Sequence, residues 1–189
     1  SVSSTEVPED EKDLNWEGKA PGTTPLFKIV RTTQDYGNTL GWQLSAGRDF
    51  SRSFATDSSG IIINEAALKL IGFKQPLGKT IRWGEREFTI IGVIKNMITS
   101  SPYKPAEPTM FAIDNSFPNF ITVRINPVMP IRTALNKIET VFKKYNHASP
   151  FVFKFTDEEY AKKFVEEEQT GSLATIFSVL AVFISCLGL

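Results

Sequence analysis

Apolar residues fall in short, separated clusters along most of this chain, and the spacing within each cluster predicts its element. "LFKIVRT" (26–32) is a strand-like run, "TQDYGNTLGW" after it predicts a short helix ending at Gly41, and "WQLSAG" (42–47) returns as a strand. That makes a first β-α-β unit. "IIIN" (61–64) is a run of the buried-strand type. Asn64 is placed to cap the helix "EAALKLI" and Gly72 to end it. "KTIRW" and "REFTIIGVIK" flank Gly84-Glu85, a Gly-X pair that predicts a type II′ hairpin. A loop with three prolines (96–108) then leads to a strand at "TMFAI" (109–113).

The first pattern recurs further on. "NFITVRI" (119–125) reads as a strand, and Pro130 suits the first turn of the next helix. That helix carries Ile131, Leu135, Ile138, Phe142 and Tyr145 on one apolar stripe. "PFVFKF" (150–155) alternates as a strand should. The outline is therefore α+β: β-α-β, a small α/β insert at 46–118, then β-α-β. Two such halves, 26–45 and 119–156, predict a split, ferredoxin-like sheet. Residues 1–25 mix Ser, Glu, Asp, Pro and Gly and read as a mobile arm.

From Thr156 the pattern changes. "TDEEYAKKFVEEEQTG" has a Thr cap followed by acids, which predicts a helix over 157–171. It runs without a proline into residues 172–189, which carry no charge. The apolar side chains there are Leu173, Ile176, Phe177, Val179, Leu180, Val182, Phe183, Ile184 and Leu187, with others between them. A charge-free run of about 18 residues is long enough to begin a transmembrane helix. It also suits a C-terminal helix buried in a soluble, secreted binding module. The acidic flank leans toward the non-cytoplasmic side.

Composition narrows the classes. Lys plus Arg equals Asp plus Glu at 21 each, so no basic excess attracts nucleic acid. The single cysteine, Cys186, forms no internal disulfide and lies in the apolar tail as a small hydrophobe. The start of the chain is polar and acidic, unlike a signal peptide.

Catalytic, cofactor and metal sites find no support in the motifs. "GFKQPLGKT" (72–80) approaches a phosphate-binding loop, but five residues rather than four separate Gly72 from Gly78. It also leaves a helix and enters a strand, the reverse of what a helix N-terminus needs to hold phosphate. Pro76, Gly78 and Lys79 therefore read as a turn into an edge strand. His147 is alone and no zinc constellation exists. Arg48 beside Asp49 reads as a strand-end salt bridge, and an enzyme with an unrecognised site would need a polar cleft.

Four segments together resemble a known family. "LGWQLSAGRDFS", "IIINEAALKLIGFKQPLGKTI", "FTIIGVIKNM" and "FSVLAVFISCLGL" follow in the order seen in ABC transporter permeases of the MacB/FtsX type. Within them Gly47, Arg48, Asp49, Phe50, Asn64, Glu65, Pro76, Gly78 and Lys79 carry the pattern. The resemblance is to the MacB-like periplasmic core domain, and "WEGK" (16–19) is similar to versions found in Bacteroidetes. It implies a porter-like part with an inserted small α/β part, on the periplasmic side of a bacterial inner membrane. Residues 172–189 would then start the second membrane helix. It further implies a cytoplasmic ABC ATPase subunit that binds the ATP, a second permease copy and a periplasmic or outer-membrane partner. It carries no catalytic residues in this domain.

Overall fold

The computed structural model describes residues 2–5, 8–97, 105–114, 120–147, 149–156, 177–178 and 181–182. Two compact units make up the chain: Ser1–Met97 with Ala106–Ala134, and Ile98–Pro105 with Leu135–Leu189.

The first unit is built on one mixed sheet. Its strands are β1 (Val2–Thr5), β2 (Glu9–Glu11), β3 (Leu14–Trp16), β4 (Phe27–Thr32), β5 (Leu44–Gly47), β6 (Gly60–Asn64), β7 (Thr80–Trp83), β8 (Arg86–Ile94), β9 (Thr109–Ile113) and β10 (Phe120–Val123). Two short helices, α1 (Tyr36–Leu40) and α2 (Glu65–Ile71), and a 3₁₀ turn at Ala55–Ser59 connect them. The order is β10-β1-β4-β9-β6-β8-β7-β3, with β2 also on β4 and β5 also on β8.

The middle strand explains the uninterrupted "IIIN". All five residues of β6 are buried. It lies between β8, parallel, and β9, antiparallel, and its alternate side chains enter two different cores. Ile61 and Ile63 join Leu14, Phe27, Ile29, Ile81, Phe88, Ile90 and Met110 under α2. Ile62 points the other way, to Val30, Phe50, Ile94 and Phe111, with Tyr36 and Trp42 packed against them. A strand covered on both faces has no polar side to show.

Residues 9–16 roll the sheet up. Their first half, β2, pairs with β4, and their second half, β3, pairs with β7 at the far end of the strand path. One short segment thus joins the two sides, and the Leu14 cluster becomes the inside of a barrel. Contacts across the roll agree: Trp16 and Phe27 rings lie 5.8 Å apart, and Arg31 sits 5.3 Å from the centre of the Trp83 ring.

Several expectations need correction. Residues 1–25 are no mobile arm, because they supply three paired strands and the buried Leu14. Their polar composition misled because β2 and β3 are three residues each, too short for a period to register. The sheet also crosses the expected boundary at 45/46: β4 lies parallel to β9, strand against strand from Lys28–Thr109 to Thr32–Ile113. "PFVFKF" forms no strand among the described residues. Its alternating phenylalanines instead make a ring ladder within the second unit, Phe142–Phe151–Phe153–Phe155, at 5.5, 5.7 and 5.5 Å.

Other elements form where the spacing places them. Gly41 and Gly72 close α1 and α2 in the left-handed conformation. Gly84 has φ 58°, and among the described residues none other than glycine has positive φ. That excludes the I′ turn, which needs two positive φ values, and fits type II′. The helix over 131–145, α3 (Ile131–Tyr145), begins in the first unit and otherwise belongs to the second.

The expected helix at 157–171 and nearly all of 172–189 lie outside the described residues. Within that tail Phe177, Ser178, Ala181 and Val182 are helical and exposed. No described helix is long and apolar enough to cross a membrane.

Candidate functional site

The motif residues singled out by the sequence collect at three junctions around β6 and β8. The first is the loop that leaves β5. Gly47 has φ 74°, and a Cβ there would run into the Ile91 carbonyl oxygen and the Leu77 side chain. The Arg48 N–H then donates to that same carbonyl at 3.0 Å. This close approach requires glycine and aims the arginine at the next turn.

Arg48 does not pair with Asp49 as expected. Its guanidinium donates to both carboxylate oxygens of Asp57, at 2.9 and 2.5 Å. Asp57 is buried and also accepts from the Ser51 N–H at 2.8 Å. Arg48, foremost among these, holds the Asp57 carboxyl below the ordinary range against the effect of burial. Asp49 turns the other way. It accepts from the Trp42 indole at 3.0 Å and from the Phe50 N–H at 2.8 Å. Burial pushes its carboxyl up, only partly offset by those two bonds. Adjacency in sequence suggests a pair, but adjacent residues of extended chain point to opposite faces. That is why the two side chains found different partners, although Arg48 Nη1 also donates to the Asp49 backbone carbonyl at 3.1 Å.

The second junction is Asn64, where β6 becomes α2. Its Oδ1 accepts from the Ala67 N–H at 2.9 Å, capping the helix, and from the Thr109 N–H at 3.0 Å. Its Nδ2 donates to the Glu107 carbonyl at 2.8 Å. One buried amide therefore ties three chain segments. Glu65, next in line, accepts from the Ser45 hydroxyl at 2.7 Å and joins α2 to β5. The cap was legible in the sequence; the link to residues 107 and 109 was not, since no local signal spans 43 positions.

The third junction is "PLGK". The Lys79 N–H donates to the Pro76 carbonyl at 3.1 Å, and Gly78 and Lys79 exchange backbone bonds with Ile90, each of 2.9 Å. The stretch is a turn feeding β7. Lys79 Nζ lies 3.0 Å from Glu17, and both side chains are well exposed. This residue lines an open concavity of about 520 Å³ with Asn15, Trp16, Phe73, Thr80, Arg82 and Glu87. Its four charged side chains are two of each sign. Lys79→Ala is expected to change unfolding free energy by less than about 1 kcal/mol, as exposed pairs do. ATP binding, followed by fluorescence of a labelled nucleotide, should be the same in both proteins; a nucleotide affinity lost with Lys79 would contradict the turn reading.

No group of three metal-ligating side chains occurs among the described residues. What these junctions do chemically is hold shape: bidentate charge pairing, a helix cap and a hydrogen-bonded turn.

The family model for the MacB-like periplasmic core domain matches residues 5–141, from β1 to the middle of α3. The chain belongs to this family. The macrolide export ATP-binding/permease protein MacB of Neisseria gonorrhoeae is 26% identical over 159 residues, covering 79% of this chain and 24% of that protein. The chain thus spans about a quarter of the length of the curated relatives it matches. Among solved structures, the periplasmic region of MacB from Actinobacillus actinomycetemcomitans superposes with TM-score 0.64 at 20% identity, over 88% of this chain and 75% of that one. The extracellular domain of the noncanonic ABC-type transporter YknZ from Gram-positive bacteria gives 0.58 at 16%, over 79% and 76%. At such identities the two structures speak for the fold. As a MacB-like periplasmic core domain, the chain shows a mixed α/β sheet with few helices, and the matched region contains all three junctions.

Proposed function

We propose that this chain is the periplasmic part of an ABC transporter permease of the bacterial inner membrane. The carrying observation is the match to the MacB-like periplasmic core domain over residues 5–141, followed in the same chain by the charge-free run 172–189. In this reading residues 172–189 enter the membrane, and residues 157–171 form the link between membrane and domain. ATP is bound and hydrolysed by a separate cytoplasmic ABC subunit or domain. The permease works with a second copy of itself, and movement of the membrane helices passes through the link to the periplasmic side. There it serves export or acts on a periplasmic or outer-membrane protein. The domain's contribution is conformational. A fold knotted together by the three junctions suits that task, since a soft body would absorb the movement.

The alternative, a soluble module with its C-terminal helix packed into its own core, is not favoured. Phe177 and Val182 are 66% and 64% exposed, which weighs against a buried helix.

The link supplies the test. Proline in a helix interior costs about 3 kcal/mol relative to alanine. In the full-length transporter, Val165→Pro should leave insertion and folding intact, lower transport several-fold and uncouple it from ATP hydrolysis. Val165→Ala, which keeps helix propensity, should transport normally. Full transport by the proline variant would mean that 157–171 is no mechanical link.

A further inference from the structure

The barrel has one end closed by α2, through Ala67 and Ile71. The opposite end, where β4 and β9 finish and the β7–β8 hairpin turns, is open as a cavity of about 240 Å³. Phe88 and Ala112 form its floor, Trp83 one wall, and Arg31, Arg86 and Asp114 its rim. These side chains share one face of the sheet because Trp83 faces Arg86 across the hairpin and Phe88 lies two positions on.

The two arginines are not equivalent. Arg31 is engaged: it donates to Glu9 at 2.8 Å and lies 3.9 Å from Asp114. Arg86 makes no ion pair among the described residues. Its guanidinium instead lies 5.0 Å from the centre of the Phe88 ring. A guanidinium laid on an aromatic face keeps its fork of N–H groups free for a planar oxyanion. The Trp83 wall is held in place, since its indole donates to Glu11 at 2.9 Å. The Asp13 N–H and then this indole keep the Glu11 carboxyl below the ordinary range, so it stays a charged acceptor near neutral pH.

We propose that this mouth is a binding site for a small monoanion with a flat apolar body, an aromatic carboxylate in chemical class. The Trp83 and Phe88 rings already pack on each other, their centroids 5.8 Å apart, so the body lies in the mouth alongside Trp83 rather than between the rings, and the carboxylate takes the Arg86 fork. The size is set by the cavity, which holds about eight water volumes, so one ring with one carboxylate fills it. Asp114 and the Glu9 pairing of Arg31 disfavour a second negative charge. The proposal stands apart from the coupling role, because it concerns the barrel mouth and needs no membrane segment.

The probe is benzoate, with benzamide as its neutral twin. The three indole N–H signals, from Trp16, Trp42 and Trp83, are assigned in a nitrogen-correlated NMR spectrum by single Trp→Phe changes. Benzoate should shift the Trp83 signal saturably, with Kd on the order of 1 mM or tighter. Benzamide should bind at least tenfold more weakly. Arg86→Ala should weaken benzoate by about tenfold, the scale of one charge-assisted hydrogen bond, while Trp16 and Trp42 signals stay put and report an intact fold. Equal binding of benzamide, undiminished binding to Arg86→Ala, or no Trp83 shift at ten times the expected Kd would each overturn the proposal.

Discussion

Asn64→Ala is expected to destabilise the domain by about 3 kcal/mol, measured as a lowered urea midpoint with an unchanged slope. The figure has two sources. Losing an N-cap side chain costs about 1 kcal/mol. The other two partners, the Thr109 N–H and the Glu107 carbonyl, are left without this amide, at about 1 kcal/mol each at the low end of the range for buried groups. Asn64 is only 4% exposed, so water does not readily replace it. Asn64→Ser should recover the cap, about 1 kcal/mol, and not the bonds to residues 107 and 109. A loss of under about 1 kcal/mol in the alanine variant would show that Asn64 is merely a cap. Against a total stability of about 5–15 kcal/mol, the predicted loss is a sizeable share.

Asp57→Ala should rank next, at about 2–3 kcal/mol. Breaking a buried ion pair by removing one partner costs about 3–5 kcal/mol. The lower value applies because the Arg48 side chain keeps 37% of its surface in water. The same carboxylate carries an acid signature. Its pKa is lowered by folding, with Arg48 the first cause. Its contribution is therefore fully present above the ordinary value of about 3.9 and is lost as pH falls through the lower folded value. Asp49 has the opposite sign. Burial raises its pKa, so its contribution is present below about 3.9 and is lost as pH rises through the folded value. Asp57→Asn should flatten the acid limb of stability below about pH 4 and leave the opposing Asp49 slope visible just above it. Urea unfolding at a series of pH values reads both. An acid limb unchanged by Asp57→Asn would place the acid sensitivity elsewhere.

The "GRDF" loop shows how far pattern alone reached. It marked the right residues and the wrong pair. The glycine, the arginine and the aspartate are all used, but the arginine's partner is nine positions away, inside a 3₁₀ turn. Local rules describe which groups a residue has to offer. Which offer is taken depends on what the chain brings alongside. The open mouth at Arg86 had no signal at all in the sequence, because it depends on β4, β7, β8 and β9 meeting at one end.

Sequence by itself determined the elements whose causes are local. The run "IIIN", the Asn64 cap, the Gly72 stop and the Gly84-Glu85 turn are each set by residues within about one turn of each other, and each formed where its spacing placed it. The stretch from Leu44 to Lys79 also carried much of the family resemblance, which the match over 5–141 bears out.

Only the tertiary structure decided how those pieces close. Residues 9–16 look polar and loose in sequence, yet they become β2 and β3 because β4 and β7 each offer an unpaired edge. Unpaired backbone N–H and C=O groups are costly to leave, so even a three-residue strand is recruited. The reverse holds at 150–155. Its alternation is as regular as that of any strand in the chain, but among the described residues no edge pairs with it, and it stays an extended ladder of rings. Side-chain period is written in the sequence; a strand also needs a neighbour, and the neighbour is supplied by the fold.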